Sequence, residues 1–240
     1  MRKIAKFEIK NLDIVKGIQM EGVRKIGNAI NTIPKIINKN KFIEEVILID
    51  ISASLYDIII DNNIIKNIVE NFFLPVTVGG GINNIEQVKK LFFLGCERVT
   101  INSFLKNDND FEFINKISKI FGTQSIVIHL ELSSIDGSLF SFREYGREVR
   151  NMPIFDLFKK CIDCGAGEIH LISIDADGLN KGPNNNILEL SSKISKVPVV
   201  YSGGIRNFED INYIDENFNS YIDGVAFSSM LYQNLLKNDN

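Results

Sequence analysis

Short apolar runs with no polar alternation recur along the chain, and between them apolar residues return every three or four positions. Such runs fit parallel strands covered on both faces, and the intervening spacing fits amphipathic helices packed on them. Strands are expected at 4–9, 45–50, 76–78, 98–102, 125–131, 168–174, 199–202 and 224–227. Helices are expected at 28–37, 61–71, 85–94, 108–121, 154–164, 187–194, 208–217 and 231–236. Two stretches interrupt this rhythm. Residues 12–20 read as a hairpin or loop after the first strand, and 133–151 as a polar segment after the fifth. Eight strand–helix units with right-handed crossovers close into an α/β fold of the (β/α)8 TIM barrel type, expected to span 1–240 as one domain.

The pattern is used twice. Pro75-Val76-Thr77-Val78-Gly79-Gly80-Gly81-Ile82 returns as Pro198-Val199-Val200-Tyr201-Ser202-Gly203-Gly204-Ile205. Pro75 and Pro198, Gly80 and Gly203, and Glu86 and Glu209 are each separated by 123 positions. Glu8 and Glu131 have the same separation, as do Asp50-Ile51-Ser52-Ala53 and Ser173-Ile174-Asp175-Ala176. The barrel is therefore expected to consist of two half-barrel repeats, whose closure on each other removes open sheet edges. Each glycine copy reads as a strand, a tight turn and a helix start, with Asn84 and Asn207 as caps. Such turns aim backbone N–H groups at a helix N-terminus and suit phosphate. Two of them imply two phosphate sites or one bis-phosphorylated ligand.

Composition narrows the picture. With 240 residues, 45% of them hydrophobic, the chain can bury a large core. A net charge of −3 offers no basic surface for nucleic acid. No run is long and apolar enough to span a membrane, and the first residues run straight into a strand with no signal-peptide pattern. Three cysteines, an odd number, fit a reducing compartment, so a cytoplasmic location is expected.

In a barrel of this kind chemistry sits where the strands end. Those ends are Glu8, Asp50, Gly80, Asn102, Glu131, Asp175 with Asp177, Gly203 and Ser228. They make a polar ring that strand packing alone does not require.

Several segments together resemble HisF, the cyclase subunit of imidazole glycerol phosphate synthase. They are Leu48-Ile49-Asp50-Ile51-Ser52-Ala53-Ser54, Thr77-Val78-Gly79-Gly80-Gly81-Ile82, Val99-Thr100-Ile101-Asn102-Ser103, Gly165-Ala166-Gly167-Glu168-Ile169 and Ser173-Ile174-Asp175-Ala176-Asp177-Gly178. The resemblance implies a barrel that takes ammonia through its interior from a HisH-like glutaminase. It implies use of that ammonia to cleave and cyclise PRFAR, a substrate phosphorylated at both ends, with no cofactor and no metal. The phosphate contacts it implies are Gly81, Asn102 and Ser103 in one half and Gly178, Gly204 and Ser229 in the other. Lys16 matches a lysine on the first loop, and Asp50 and Asp177 match carboxylates lining the site. Arg2, Glu45, Arg98 and Glu168 match a charged gate at the opposite mouth. The plainer alternative for those four is a structural salt-bridge ring, and the gate is preferred because surface ion pairs alone contribute little.

The chain also departs from the family. Its general acid and base are aspartates, where this sequence has Glu8 and Glu131. Glutamate has nearly the same intrinsic pKa, but its carboxylate sits one methylene further out. Gly27-Asn28-Ala29 and Gly182-Pro183-Asn184 replace family loop motifs. Glu144-Tyr145-Gly146-Arg147-Glu148-Val149-Arg150-Asn151-Met152-Pro153 resembles instead the HisF-like paralogues of surface-polysaccharide loci. Those work with a glutaminase and a third protein to amidinate a nucleotide sugar, and the sequence favours that reading over histidine biosynthesis. A non-catalytic phosphosugar-binding barrel is the alternative outside the enzyme class.

Other chemistry is weaker. Cys161 and Cys164 form a lone C-x-x-C within a helical pattern and read as buried small hydrophobes. His129 lies two residues before Glu131, hence on the same face of the strand. It either touches that carboxylate or is a satisfied interior histidine. His170 receives no role.

Overall fold

A computed structural model describes residues 1–194 and 196–232. The chain opens with β1 (Arg2–Lys10) and a hairpin, β2 (Asp13–Ile18) and β3 (Glu21–Asn28). Then follow α1 (Ala29–Lys39), β4 (Glu45–Asp50), α2 (Ala53–Tyr56), α3 (Asn62–Asn71), β5 (Val76–Gly79), α4 (Ile85–Phe93), β6 (Arg98–Ile101) and α5 (Glu112–Phe121). The second half repeats this order with β7 (Ile126–Ile135), a hairpin of β8 (Ser138–Arg143) and β9 (Glu148–Val149), and α6 (Ile154–Asp163). It continues with β10 (Glu168–Ser173), α7 (Asn185–Ser191), β11 (Val199–Ser202), α8 (Phe208–Phe218), β12 (Gly224–Phe227) and α9 (Ser229–Tyr232).

Eight parallel strands, β1, β4, β5, β6, β7, β10, β11 and β12, pair in that order. The ring closes where β12 meets β1, Arg2 facing Gly224. The expected (β/α)8 barrel is thus the observed one. Asn84 and Asn207 cap α4 and α8 as expected, their side chains accepting from Gln87 N and Asp210 N. The main core lies between barrel and helices, where Ala5, Phe7 and Ile9 of β1 meet residues such as Ile33, Leu48, Ile64 and Tyr232. A smaller cluster, Ile4, Ile47, Val200 and Ala226, fills the barrel's inside.

Four expectations need correction. The hairpin expected within 12–20 reaches Asn28, because Val15 and Lys16 pair across to Lys25 and Arg24. The segment 133–151 is ordered: β7 runs on to Ile135 and pairs with β8 around Asp136 and Gly137, both with positive φ. An Asp-Gly turn of that kind matches the twist of a tight hairpin. The helix expected at 108–121 begins as a 3-10 turn, Asp108–Phe111, before α5. The helix expected at 231–236 starts two residues early at Ser229, and the rest of the expected range, 233–236, lies outside the described residues.

Candidate active site

Strand alternation explains how polar groups enter the barrel. On β1 the odd positions Ala5, Phe7 and Ile9 face the helices, so Ile4, Lys6 and Glu8 face inward. On β7 the same rule turns His129 and Glu131 inward, and on β10 it turns Glu168 and His170 inward. All six polar side chains in this set are buried, and buried charges require partners.

At the N-terminal mouth, Arg2, Glu45, Arg98 and Glu168 form a closed ring of alternating charge. Arg2 reaches Glu45 at 3.0 Å and Glu168 at 2.6 Å. Arg98 lies 3.3 Å from each carboxylate. Burial would lower the Arg2 pKa, but Glu168 and Glu45 outweigh it and raise it. The apolar cluster of Ile4, Ile47, Val200 and Ala226 sits one layer above. Next come His129 and His170, edge to face with centroids 4.9 Å apart. His170 Nε2 bonds Ser202 Oγ at 3.0 Å. Burial above all, with Lys6 adding to it, lowers the His129 pKa to about 3, so its ring is neutral. It lines the cavity beside Glu131 and has no hydrogen bond to it.

At the C-terminal mouth Glu8 is enclosed by donors. Lys6 Nζ lies 3.0 Å from it, Lys16 Nζ 3.1 Å, and the Tyr145 hydroxyl donates from 3.2 Å. Burial pushes the carboxyl up, yet Lys16 and Lys6 together hold it down at about 2. Lys16 also binds both oxygens of Asp177, at 2.7 and 2.8 Å. Three residues of the expected site, Lys16, Glu8 and Asp177, thus meet, with the lysine ion-paired and buried in the hairpin. The hairpin tips close over this network: Met20 lies beside Gly146, and Val15, Met20, Ile51, Tyr145, Ile172 and Ile174 pack together.

Beside it, in the first half, opens a cavity of about 280 Å³ lined by Asp50, Gly80, Gly81, Asn102, Ser103 and Glu131. All six belong to the expected site. Glu131 accepts from the Gly146 N–H at 2.8 Å. Burial raises its carboxyl to about 7, against the smaller opposing pull of that hydrogen bond and of Lys6 and Arg150. Asp50 is held by the N–H and hydroxyl of Ser52, both at 2.9 Å. Arg150 donates to the Asn102 carbonyl at 2.7 Å and to the Leu105 carbonyl, fixing the loop after β6.

The second half offers a narrower crevice between Lys6, Asp177, Gly203, Gly204, Ser228 and Ser229. Gly178 does not line it. A Cβ at Gly178 would stand 2.4 Å from the Gly17 carbonyl, so this glycine serves the packing of the first hairpin.

Sequence reasoning missed Lys6, Glu144, Tyr145 and Arg150. Lys6 was legible: a lysine two residues before Glu8 in an otherwise apolar strand must share its face. Asp136-Gly137 marked the hairpin that brings the other three, although not where its tip would fold. Cys96 and Cys161 lie in the main core, where burial raises both thiols to about 12.

Comparison with known proteins agrees with this geometry. Residues 4–237 match the family described as histidine biosynthesis protein. The imidazole glycerol phosphate synthase subunit HisF of Legionella pneumophila is 32% identical over 213 residues, covering 88% of this chain and 99% of that relative. The subunit HisF of Chlorobaculum tepidum is 30% identical over 229 residues, covering 95% of this chain and 87% of that relative. The barrel, its two glycine turns and these matches together place the chain in the HisF family of histidine biosynthesis proteins.

Proposed function

We propose that this chain is the ammonia-using, lyase-type synthase subunit of a glutamine-dependent complex, with Glu131 as its acid–base group. The observation that carries the reading is the placement of Glu131. It is a buried carboxyl on a cavity wall, where β7 leaves its parallel pairing with β10, and its pKa is raised toward neutrality. A general acid–base group works best with its pKa near the operating pH. Lys16, Asp50, Gly80, Gly81, Asn102, Ser103, Asp177, Gly203, Gly204, Ser228 and Ser229 surround a phosphorylated small molecule, and Glu8 holds the lysines in place.

A HisH-like glutaminase docks at the N-terminal mouth and releases ammonia there. Arg2, Glu45, Arg98 and Glu168 part to admit it, since a ring of two cations and two anions presents no net charge to a small neutral molecule. Phe73 and Phe93 support that docking face: both are almost fully exposed, Phe73 in the connection before β5 and Phe93 at the end of α4 ahead of β6, and exposed apolar groups of this size mark contact surfaces.

The finer reading is the paralogue that amidinates a nucleotide sugar, with a third protein. Glu8 and Glu131 in place of aspartates and the hairpin carrying Glu144 to Arg150 support it. Histidine biosynthesis is the second reading, favoured by the names of the relatives. Ammonium-dependent consumption of PRFAR by the purified chain separates them. The paralogue reading expects hardly any turnover and no complementation of a strain lacking the histidine-pathway cyclase. Turnover of ~1 per second or faster returns the chain to histidine biosynthesis, and glutamine-driven turnover by the chain alone removes the partner.

A further inference from the structure

The two glycine turns are close copies in backbone. A Cβ at Gly80 would stand 2.2 Å from the Asp50 carbonyl, and one at Gly203 would stand 2.6 Å from the Ser173 carbonyl. What differs is the charge that other elements bring to each turn. The first-half cavity is lined by three carboxylates, Asp50, Asp57 and Glu144, and by the acid–base group Glu131, against one lysine, Lys106. Around the second-half crevice Lys6 and Lys16 balance Glu8 and Asp177.

Glu144 is the decisive group. It sits at the tip of the second hairpin with φ 54°, a left-handed conformation that non-glycine residues seldom adopt. Its carboxylate accepts from the Ser54 hydroxyl at 2.5 Å and lies 3.9 Å from Lys106 Nζ. Its backbone N–H donates to Ser103 Oγ at 3.0 Å. The serine that the family resemblance assigns to a phosphate is therefore already bonded to the backbone of a residue that brings its own negative charge, and Glu144 is 6% exposed. Like charges held together away from water repel with little screening. Carboxylates accept hydrogen bonds and donate none, so the groups this cavity suits are hydroxyl and amide donors.

We propose that the half-sites have diverged: the second half holds the substrate's anionic phosphate, while the first-half cavity takes an uncharged, hydroxyl-rich sugar end and Glu144 excludes a second phosphate. This rests on the phosphorylated-substrate reading above.

The test is amide chemical-shift mapping of the full chain titrated with inorganic phosphate, then with N-acetylglucosamine as the uncharged probe. In the wild type, phosphate should shift Gly204 and Ser229 and leave Gly81 and Ser103 in place. In Glu144→Gln, phosphate should also shift Gly81 and Ser103, with affinity there raised about tenfold or more. Glu144→Asn, which tolerates the left-handed backbone, should behave alike. N-acetylglucosamine should shift Gly81 and Ser103 in the wild type. Phosphate acting equally on both halves of the wild type overturns the inference and leaves the proposed function standing. The absence of any sugar-induced shift overturns the sugar-end assignment. If phosphate shifts neither half in any of the three proteins, both the inference and the phosphorylated-substrate reading fall.

Discussion

Glu8 and Glu131 occupy the same place in the two half-barrels, yet they are different chemical groups. Each ends an inward-facing row on its strand, and both are buried. Two residues earlier stands Lys6 in one half and His129 in the other. Lys6 and Lys16 hold Glu8 ionised at about 2, whereas Glu131 meets a neutral imidazole wall and one backbone N–H and rises to about 7. A duplicated backbone thus places two carboxylates alike, and the neighbouring side chain decides which of them can exchange a proton near neutral pH. Glu8 is better described as the counter-ion of a buried lysine pair.

Replacing each glutamate in turn is the sharpest way to break this comparison. Glu131→Gln should abolish most ammonia-dependent turnover, since acid–base catalysis contributes typically ~100- to 10,000-fold, while its thermal unfolding midpoint at neutral pH does not fall below that of the wild type. Glu8→Gln should fail on stability first. It leaves Lys6 and Lys16 underpaired in the interior, and breaking a buried ion pair costs about 3–5 kcal/mol. Denaturant titration of both variants checks this, and equal destabilisation of the two would dissolve the distinction.

Stability against pH gives a second, smaller contrast of opposite sign. The Glu131 pKa is raised in the folded chain from 4.5 to about 7. Its contribution is fully present below pH 4.5 and is lost as the pH climbs to about 7. The Glu8 pKa is lowered from 4.5 to about 2, so its contribution is present above 4.5 and is lost as the pH falls toward 2. Each window carries on the order of 3 kcal/mol. Unfolding free energies between pH 2 and 8 should lose the upper slope in Glu131→Gln and the lower slope in Glu8→Gln.

The smallest contrast is expected where the halves agree. Gly80→Ala and Gly203→Ala should destabilise alike, by at least roughly 1–3 kcal/mol for a side chain forced into this backbone region, with φ of 102° and 113° and a Cβ against the Asp50 or Ser173 carbonyl. Markedly unequal losses would mean that the two turns have diverged in backbone as well as in charge.

Much of this was legible in the amino-acid order. Strand and helix positions followed from apolar periodicity, because a strand covered on both faces and a helix covered on one leave different spacings. The repeat and the strand-end carboxylates could be read from position alone, since strand ends fall on one rim of a closed barrel, while the ring of Arg2, Glu45, Arg98 and Glu168 at the strand starts came from the family resemblance. The segment 133–151 was not legible as part of the site. Its residues are polar and its destination is non-local: Tyr145 meets Glu8, Gly146 meets Glu131 and Arg150 meets Asn102 only after the barrel has closed. The sequence by itself determined the barrel, its duplication and the two glutamates at its mouth. Only the tertiary structure decided their separate characters, because a carboxyl's ionisation depends on burial and on charges a few ångströms away, and those neighbours arrive from hairpins distant in the chain.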